Sequence, residues 1–539
     1  MAHADEPTPP TDPDRPPVRG RAASVGASAG VGMAWMMLAT GAGKGASIVS
    51  QIVLGWLLSD DEFGVYAAAI GLASFVTVLR DGGTRYILIQ KGSGRWAGLS
   101  GPAFWMASSI ALVMGLALAA AAGVAPLIPF KEGSGYADPR LPGVIAVIAL
   151  SLIIAPPGMM FVARLSTQLR FGAIASLNTQ TAMVRHATMI LFALLGFGPL
   201  SFALPLVCQA LYQNIGGYLL TRDPIWTRRV RLRMWPALLA RAKWLMVQAV
   251  SRSLLLMGDY AVLGLLVRDE VLGVYFFAYQ IINQIQVLLS VNLQNVLFPT
   301  LSTLKDEPAR FRAAVLRATR VLSLFSCAGA IGLAVVYDPL QRLIWGDKWD
   351  ASVAPVHAMA LFFPFRMLFN ILNSALLAHG RYRQVSLLTL LAGAGLVGVA
   401  AVAGSITDDV GVIALAVSLY FGVGITAIVA LALRSVGVSP LRLLSGVVPQ
   451  WVLGVACAAP VVALQRTAPG DAGPVVAAIA SGAGFAALYA IGARLFFART
   501  LRETIGIAPA RLRPIARRIM VLPERAGAER DGYRTGDDA

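Results

Sequence analysis

Charge is what this sequence has least of. Asp, Glu, Lys and Arg make up 14% of its 539 residues, where a soluble domain carries about a quarter. Cysteine is also scarce. Cys208, Cys327 and Cys457 each sit inside an apolar run, which suits packing better than disulfides or ligation. No His/Cys spacing suits a metal, so no metal centre is expected, and nothing suggests a cofactor. Long polar stretches are missing too. Outside the two tails no segment between apolar runs exceeds about 25 residues, which leaves no room for a nucleotide-binding or catalytic domain. An ATP-driven pump in one chain is thereby excluded. No signal peptide is evident, because residues 1–20 are Pro-rich and polar and read as a disordered tail. Two short motifs also fail on context. Gly26-Ala27-Ser28-Ala29-Gly30 has no strand before it. Gly43-Lys44 has Leu38 and Gly45 where a phosphate-binding loop needs Gly and Ser or Thr.

What the chain does have is apolar length. Hydrophobic residues make up 57% and mean hydropathy is +0.68. Runs of about twenty apolar residues, enough to cross a bilayer as a helix, recur throughout. They predict an all-α polytopic membrane protein with fourteen spans. These fall at 31–58, 62–80, 101–126, 142–163, 172–194, 199–220, 244–267, 271–299, 315–337, 352–378, 384–404, 409–433, 443–465 and 473–497. With the N-terminus inside, 22 Lys and Arg fall in cytoplasmic loops and helix ends, against 6 in the outside turns. That bias predicts both termini inside and assigns the net charge of +17 to membrane topology rather than to nucleic acid.

One stretch occurs twice. Leu54–Ala69, LGWLLSDDEFGVYAAA, aligns without a gap to Leu263–Ala278, LGLLVRDEVLGVYFFA, at an offset of 209, with 8 of 16 pairs identical. In each copy an apolar helix ends, a short acidic turn follows and a second apolar helix begins. The offset predicts two units of six helices sharing one orientation, plus two extra C-terminal helices. The expected divisions are a tail at 1–28, bundles at 29–238 and 239–440, two further spans at 441–498 and a basic tail at 499–539. The offset pairs Pro364 with Ala155, next to Pro156 and Pro157 in the fourth helix of the first unit, so both fourth helices are expected to break within about one residue of the same place and serve as hinges.

Polar stripes follow helical spacing inside the spans. Thr40, Lys44, Ser47 and Gln51 share a face. Gln248, Arg252 and Asp259 share another, as do Asn178, Thr181, Arg185 and Thr188. Arg366, Asn370 and Asn373 mark span 10. Gln280, Asn283, Gln284, Gln294 and Asn295 cluster on span 8. Such groups are costly in a bilayer unless they face a cavity, so the stripes predict a polar interior. Its cations (Lys44, Arg252, Arg185, Arg366 and, at the inner end of span 2, Arg80) suit an anionic substrate. Its amides, with Gln51, suit a hydroxyl-rich one. Asp259 is the candidate coupling residue, paired with Arg252 or another cation. His186 and His357 read as packing residues. Arg80-Asp81-Gly82-Gly83 reads as a helix stop.

LGWLLSDDEFGVYAAA, with Val78-Leu79-Arg80-Asp81-Gly82-Gly83, Tyr86–Lys91, Gly258-Asp259-Tyr260 and Phe298-Pro299, resembles the bacterial polysaccharide exporters. These are Wzx-type flippases of the multidrug/oligosaccharidyl-lipid/polysaccharide superfamily, and the resemblance covers about residues 31–500. It implies two six-helix bundles around a central cavity in the bacterial inner membrane. The implied activity is movement of undecaprenyl-pyrophosphate-linked oligosaccharides to the periplasmic leaflet by alternating access, for capsule, exopolysaccharide or lipopolysaccharide. The implied partners are that lipid-linked sugar, membrane lipids, a polysaccharide polymerase and a chain-length regulator. Related lipid flippases place basic residues on the first helices of the bundles, a pattern that Lys44 matches. Two alternatives remain open here: a cation-coupled drug antiporter of the same superfamily, and a membrane glycosyltransferase, which the short loops disfavour.

Overall fold

The computed structural model describes residues 41, 43–80, 82–467 and 473–507, of which 241–242, 287–296 and 505–507 are described by backbone alone. Thr40, Asp81 and both tails lie outside the described residues, as do the side chains of Gln294 and Asn295. Among the described residues the chain is helical, with one isolated antiparallel bridge, Ser134 to Arg268.

Helix α1 covers 43–57. It is followed by α2 (Asp60–Thr77), α3 (Thr84–Lys91), α4 (Trp96–Val124), α5 (Leu141–Ile154), α6 (Pro156–Thr167), α7 (Phe171–Leu194) and α8 (Leu200–Thr221). After a loop come α9 (Trp235–Leu266), α10 (Asp269–Thr303), α11 (Pro308–Trp345), α12 (Val353–Ala378), α13 (Tyr382–Ile406), α14 (Val410–Leu419) and α15 (Thr426–Arg434). A π-helical segment, Tyr420–Ile425, joins the last two. The short α16 (Pro440–Leu444), then α17 (Val448–Thr467), α18 (Pro474–Phe496) and α19 (Ala498–Ile507) complete the chain. Among the described residues, eight helices are long and apolar enough to cross a membrane, or nine with α5 and α6 taken as one bent span. Helices α7 and α10 carry polar faces that lower their hydropathy, and the described part of α1 is short.

The duplicated turns sit side by side. Both second helices start on acids, Asp60, Asp61 and Glu62 in α2 and Asp269 and Glu270 in α10, which the positive end of the helix dipole favours. The Ser59 amide donates to Glu62 Oε2 at 2.9 Å, satisfying one of the donors a helix start leaves open. The two helices then meet at glycines. A Cβ on Gly64 would run into the Asp269 carbonyl, and a Cβ on Gly273 into the Asp60 carbonyl. Gly64 and Gly273 are 209 positions apart, as are Asp60 and Asp269, so the contact is reciprocal. Such reciprocity is what a local two-fold relation between the repeats produces.

The paired proline breaks need correction. At Pro156 the chain does bend, by 42° between α5 and α6. Pro364 instead lies inside an uninterrupted α12. A single proline removes one helical donor, which a long packed helix tolerates. Pro156 and Pro157 remove two in succession. Across that break Asn214 of α8 accepts from the Gly158 amide at 2.7 Å and donates to the Ile154 carbonyl at 2.8 Å, bridging the helical bond that the bend opens. The helix stop after α2 is as expected, with Gly82 and Gly83 at φ of 53° and 71°.

Candidate functional site

Between the repeats lies a cavity of about 880 Å³. Its walls come from α2, α3 and α5 to α8 on one side, and from α9, α10 and Asn370 of α12 on the other. Four arginines line it: Arg80 after α2, Arg85 on α3, Arg185 on α7 and Arg252 on α9. Six amides join them: Gln209 and Gln213 on α8, Gln280, Asn283 and Gln286 on α10, and Asn370. Among the described residues no Asp or Glu lines it. Arg252 is exposed to this space. Among the described residues Arg185 Nε, Gln209 Oε1 and Gln286 Oε1 are buried with no hydrogen-bond partner, so each keeps unspent hydrogen-bonding capacity. One end reaches Arg80, Arg85 and the exposed Tyr86 on the face of the Arg-rich loops. The other stops at the rings of Tyr66 and Phe276.

Of the residues singled out by sequence spacing, Arg80, Arg185, Arg252, Gln280, Asn283 and Asn370 line this cavity. Gln51, Lys44, Gln284, Asn373 and Arg366 lie elsewhere. Lys44 Nζ donates to Gln284 Oε1 at 3.0 Å, and Gln284 Nε2 donates to Ser47 Oγ at 3.3 Å. The Lys44 stripe thus closes a seam between α1 and α10, and Ser50 Oγ bonds His186 Nδ1 at 2.8 Å on the side of α7. Helical periodicity told that these groups share a face but not which neighbour the face meets. His357 Nε2 bonds the Ala334 carbonyl at 2.9 Å, consistent with a structural role.

Arg366 is held behind the cavity wall. Its guanidinium lies 4.8 Å from the ring centroids of both Tyr279 and Phe421 and donates to Tyr279 OH. With Asp259, Tyr275 and Ser418 it lines a separate pocket of about 20 Å³, space for about one water. Tyr279 belongs to both pocket walls. Asp259 is not paired with Arg252. Its Oδ2 accepts from Tyr275 OH at 2.8 Å and its Oδ1 from the Tyr260 amide at 3.0 Å. Seven residues of helix separate Arg252 from Asp259, a rise of about 10 Å. The Phe421 contact lies in the π-helical segment, a departure that occurs often at functional sites.

Several residues escaped the sequence reading. Gln209 and Gln213, spaced i, i+4 on α8, carry the same signal as the stripes that were found. Arg85 and Tyr86 follow the helix stop on a short helix too polar to read as a span. Asp223, in the loop between repeats, is buried. It accepts from Trp96 Nε1 at 2.7 Å and Arg228 Nη2 at 2.6 Å, with Arg164 3.8 Å away and stacked over Trp96. This knot ties the start of that loop to α4 and α6. The three cysteines are free. Among the described residues no cluster of His, Cys, Asp or Glu could hold a metal.

A profile of the family described as "Polysaccharide biosynthesis protein" matches residues 53–354. The lipopolysaccharide biosynthesis protein WzxC of Escherichia coli (strain K12) is 22% identical over 353 residues, 65% of this chain and 70% of that protein. The teichuronic acid biosynthesis protein TuaB of Bacillus subtilis (strain 168) is 25% identical over 362 residues, 65% of this chain and 71% of its own. Among solved structures, the lipid II flippase MurJ in an inward closed conformation superposes with a TM-score of 0.67. It is 13% identical, and the match covers 86% of this chain and 99% of that one. An inward-facing multidrug resistance transporter of the MATE family, from the MOP superfamily, gives 0.56 at 11% identity, over 79% and 96%. At these identities the structures show a shared fold. The resemblance carried by the duplicated turn is borne out.

Proposed function

Because the chain belongs to the polysaccharide biosynthesis protein family, on the match of residues 53–354, we propose that it moves a polyprenyl-pyrophosphate-linked oligosaccharide between the leaflets of the bacterial inner membrane. The observation that carries this reading is the cavity between the repeats, with four arginines, six amides and no acid among its described lining residues. Anions in a bilayer need such cations. Guanidinium groups meet phosphate oxygens two at a time, and amides pair with sugar hydroxyls. The names of WzxC, TuaB and the lipid II flippase MurJ point the same way.

The full reading has fourteen spans, both termini inside, and bundles at 29–238 and 239–440 followed by two extra helices. The cavity then opens toward the cytoplasm at Arg80 and Arg85. The two bundles rock about an axis along the membrane normal, bending at Pro156 and Pro157. Arg185 and Arg252 hold the head group, while Lys44 and Arg366 stay outside the path. A cation antiporter would need carboxylates in the path, and Asp259 lies outside it. The test is complementation. In a strain lacking the gene, Arg252→Ala and Arg185→Ala should leave the protein in the membrane and reduce surface polysaccharide. Full restoration by both variants would refute the role assigned to the cavity.

A further inference from the structure

On the face away from Arg80 and Arg85, each repeat extends an arm to the other. The α4–α5 loop of the first repeat reaches the end of α9. There the Tyr136 amide donates to the Gly264 carbonyl at 3.3 Å, Lys131 Nζ to the Leu266 carbonyl at 2.9 Å, and the Asp269 amide to the Gly133 carbonyl at 3.0 Å. The end of α11 and the turn after it reach the end of α1. Lys348 Nζ donates to the carbonyls of Leu58 at 2.7 Å and Trp56 at 3.0 Å, Trp349 Nε1 to Gly55 at 2.9 Å, and Trp345 Nε1 to Ile52 at 3.0 Å. Tyr136 packs on Gly264 and Trp345 on Gly55, and both pairs are related by the offset of 209. In each arm a lysine meets the carbonyl end of the other repeat's first helix, where the dipole favours a cation.

Between the arms lies the reciprocal contact of Gly64 and Gly273. Beneath them is an aromatic layer. Phe277 stacks on Trp349 at 3.7 Å, and Phe63 stands edge-on to both, at 5.5 and 5.1 Å. Tyr66 and Phe276 follow and form the end wall of the cavity.

We propose that the two arms, the glycine pair and the aromatic layer form one clasp, which holds this face shut and must part for the cavity to empty through it. Calling the face outer rests on the proposed orientation; the clasp itself does not. The arm bonds and the glycine contact all join one repeat to the other. Opening the face therefore breaks them together, while the arginine-lined end need not move. The glycines set how closely the turns approach, so a single methyl group at either should prop the clasp open.

The test is electron–electron double resonance on the full chain in nanodiscs, without substrate, so that its outcome is independent of what is transported. Labels are placed through L195C and I406C, exposed residues of this face on the two repeats, with the native cysteines replaced by Ala. The unaltered clasp should give one short distance. G64A, G273A and K348M should each raise a longer-distance population several-fold. G123A, where a Cβ meets nothing within 4 Å, should not. Should the glycine variants fail to fold, K348M decides alone, since it removes only an exposed ammonium. A wild-type distribution in K348M and in every folded glycine variant overturns the proposal.

Discussion

At Asn214 one side chain bridges the helical bond between the Gly158 amide and the Ile154 carbonyl that the bend at Pro156 and Pro157 leaves open. Its carboxamide serves the Gly158 amide and the Ile154 carbonyl together. Leaving either group unmet inside a protein costs about 1–3 kcal/mol. Asn214→Ala is therefore expected to lower stability by about that amount, measured as thermal unfolding in detergent. Asn214→Asp, which keeps the acceptor but sets a carboxylate against the Ile154 carbonyl, should lose at least as much. Lys44 offers a second contrast. Sequence spacing gave it the same standing as Arg252, yet Lys44 is spent on Gln284, whereas Arg252 is exposed to the cavity. Lys44→Met should reduce export less than Arg252→Ala at equal expression, measured as surface polysaccharide per cell.

Among the elements, the duplicated turns are alike in sequence and unlike in how they hold their carboxyls. Burial pushes the Asp61 carboxyl up, but hydrogen bonds from Ser59 and Arg140, with the Arg140 charge, hold it below the usual range. Arg140 Nη2 lies 2.6 Å from it. Asp269 goes the other way, raised by burial and by Glu270. A carboxyl depressed in the fold stabilises above its unfolded value, about 3.9, and loses that contribution as pH falls through the folded one. Asp61→Asn should thus cost about 0.2–1 kcal/mol near neutrality, as a partly exposed pair does. The gap in unfolding temperature should close as the pH falls below about 3.9. Asp269→Asn should be neutral or stabilising near neutrality, because a raised carboxyl favours the protonated form.

At this scale the sequence was readable where a pattern lies along one helix. The amides of α10 and the 209 offset are of that kind. It was unreadable where a partner on another helix decides, as with Asn214 at the proline break, Gln284 opposite Lys44, or Tyr279 and Phe421 around Arg366. Pro364 was misread because the loss of one backbone donor does not by itself break a packed helix.

For the whole molecule, the proposed orientation puts the arginine-rich face and the clasp face on opposite sides of the membrane. Cysteine labelling checks which is which. L232C, exposed in the loop between repeats, should react only after permeabilisation, and I406C should react in intact cells. The reverse would invert the topology. The cavity itself is tested most directly by transport in proteoliposomes, with a fluorescent polyprenyl-pyrophosphate-linked sugar and charge reversal at Arg185→Glu and Arg252→Glu. Each variant should slow flipping tenfold or more, corresponding to at least about 1.4 kcal/mol of lost stabilisation, while binding of a neutral glycolipid stays unchanged. Flipping at the unaltered rate in both variants would contradict a cation-lined path for an anionic head group.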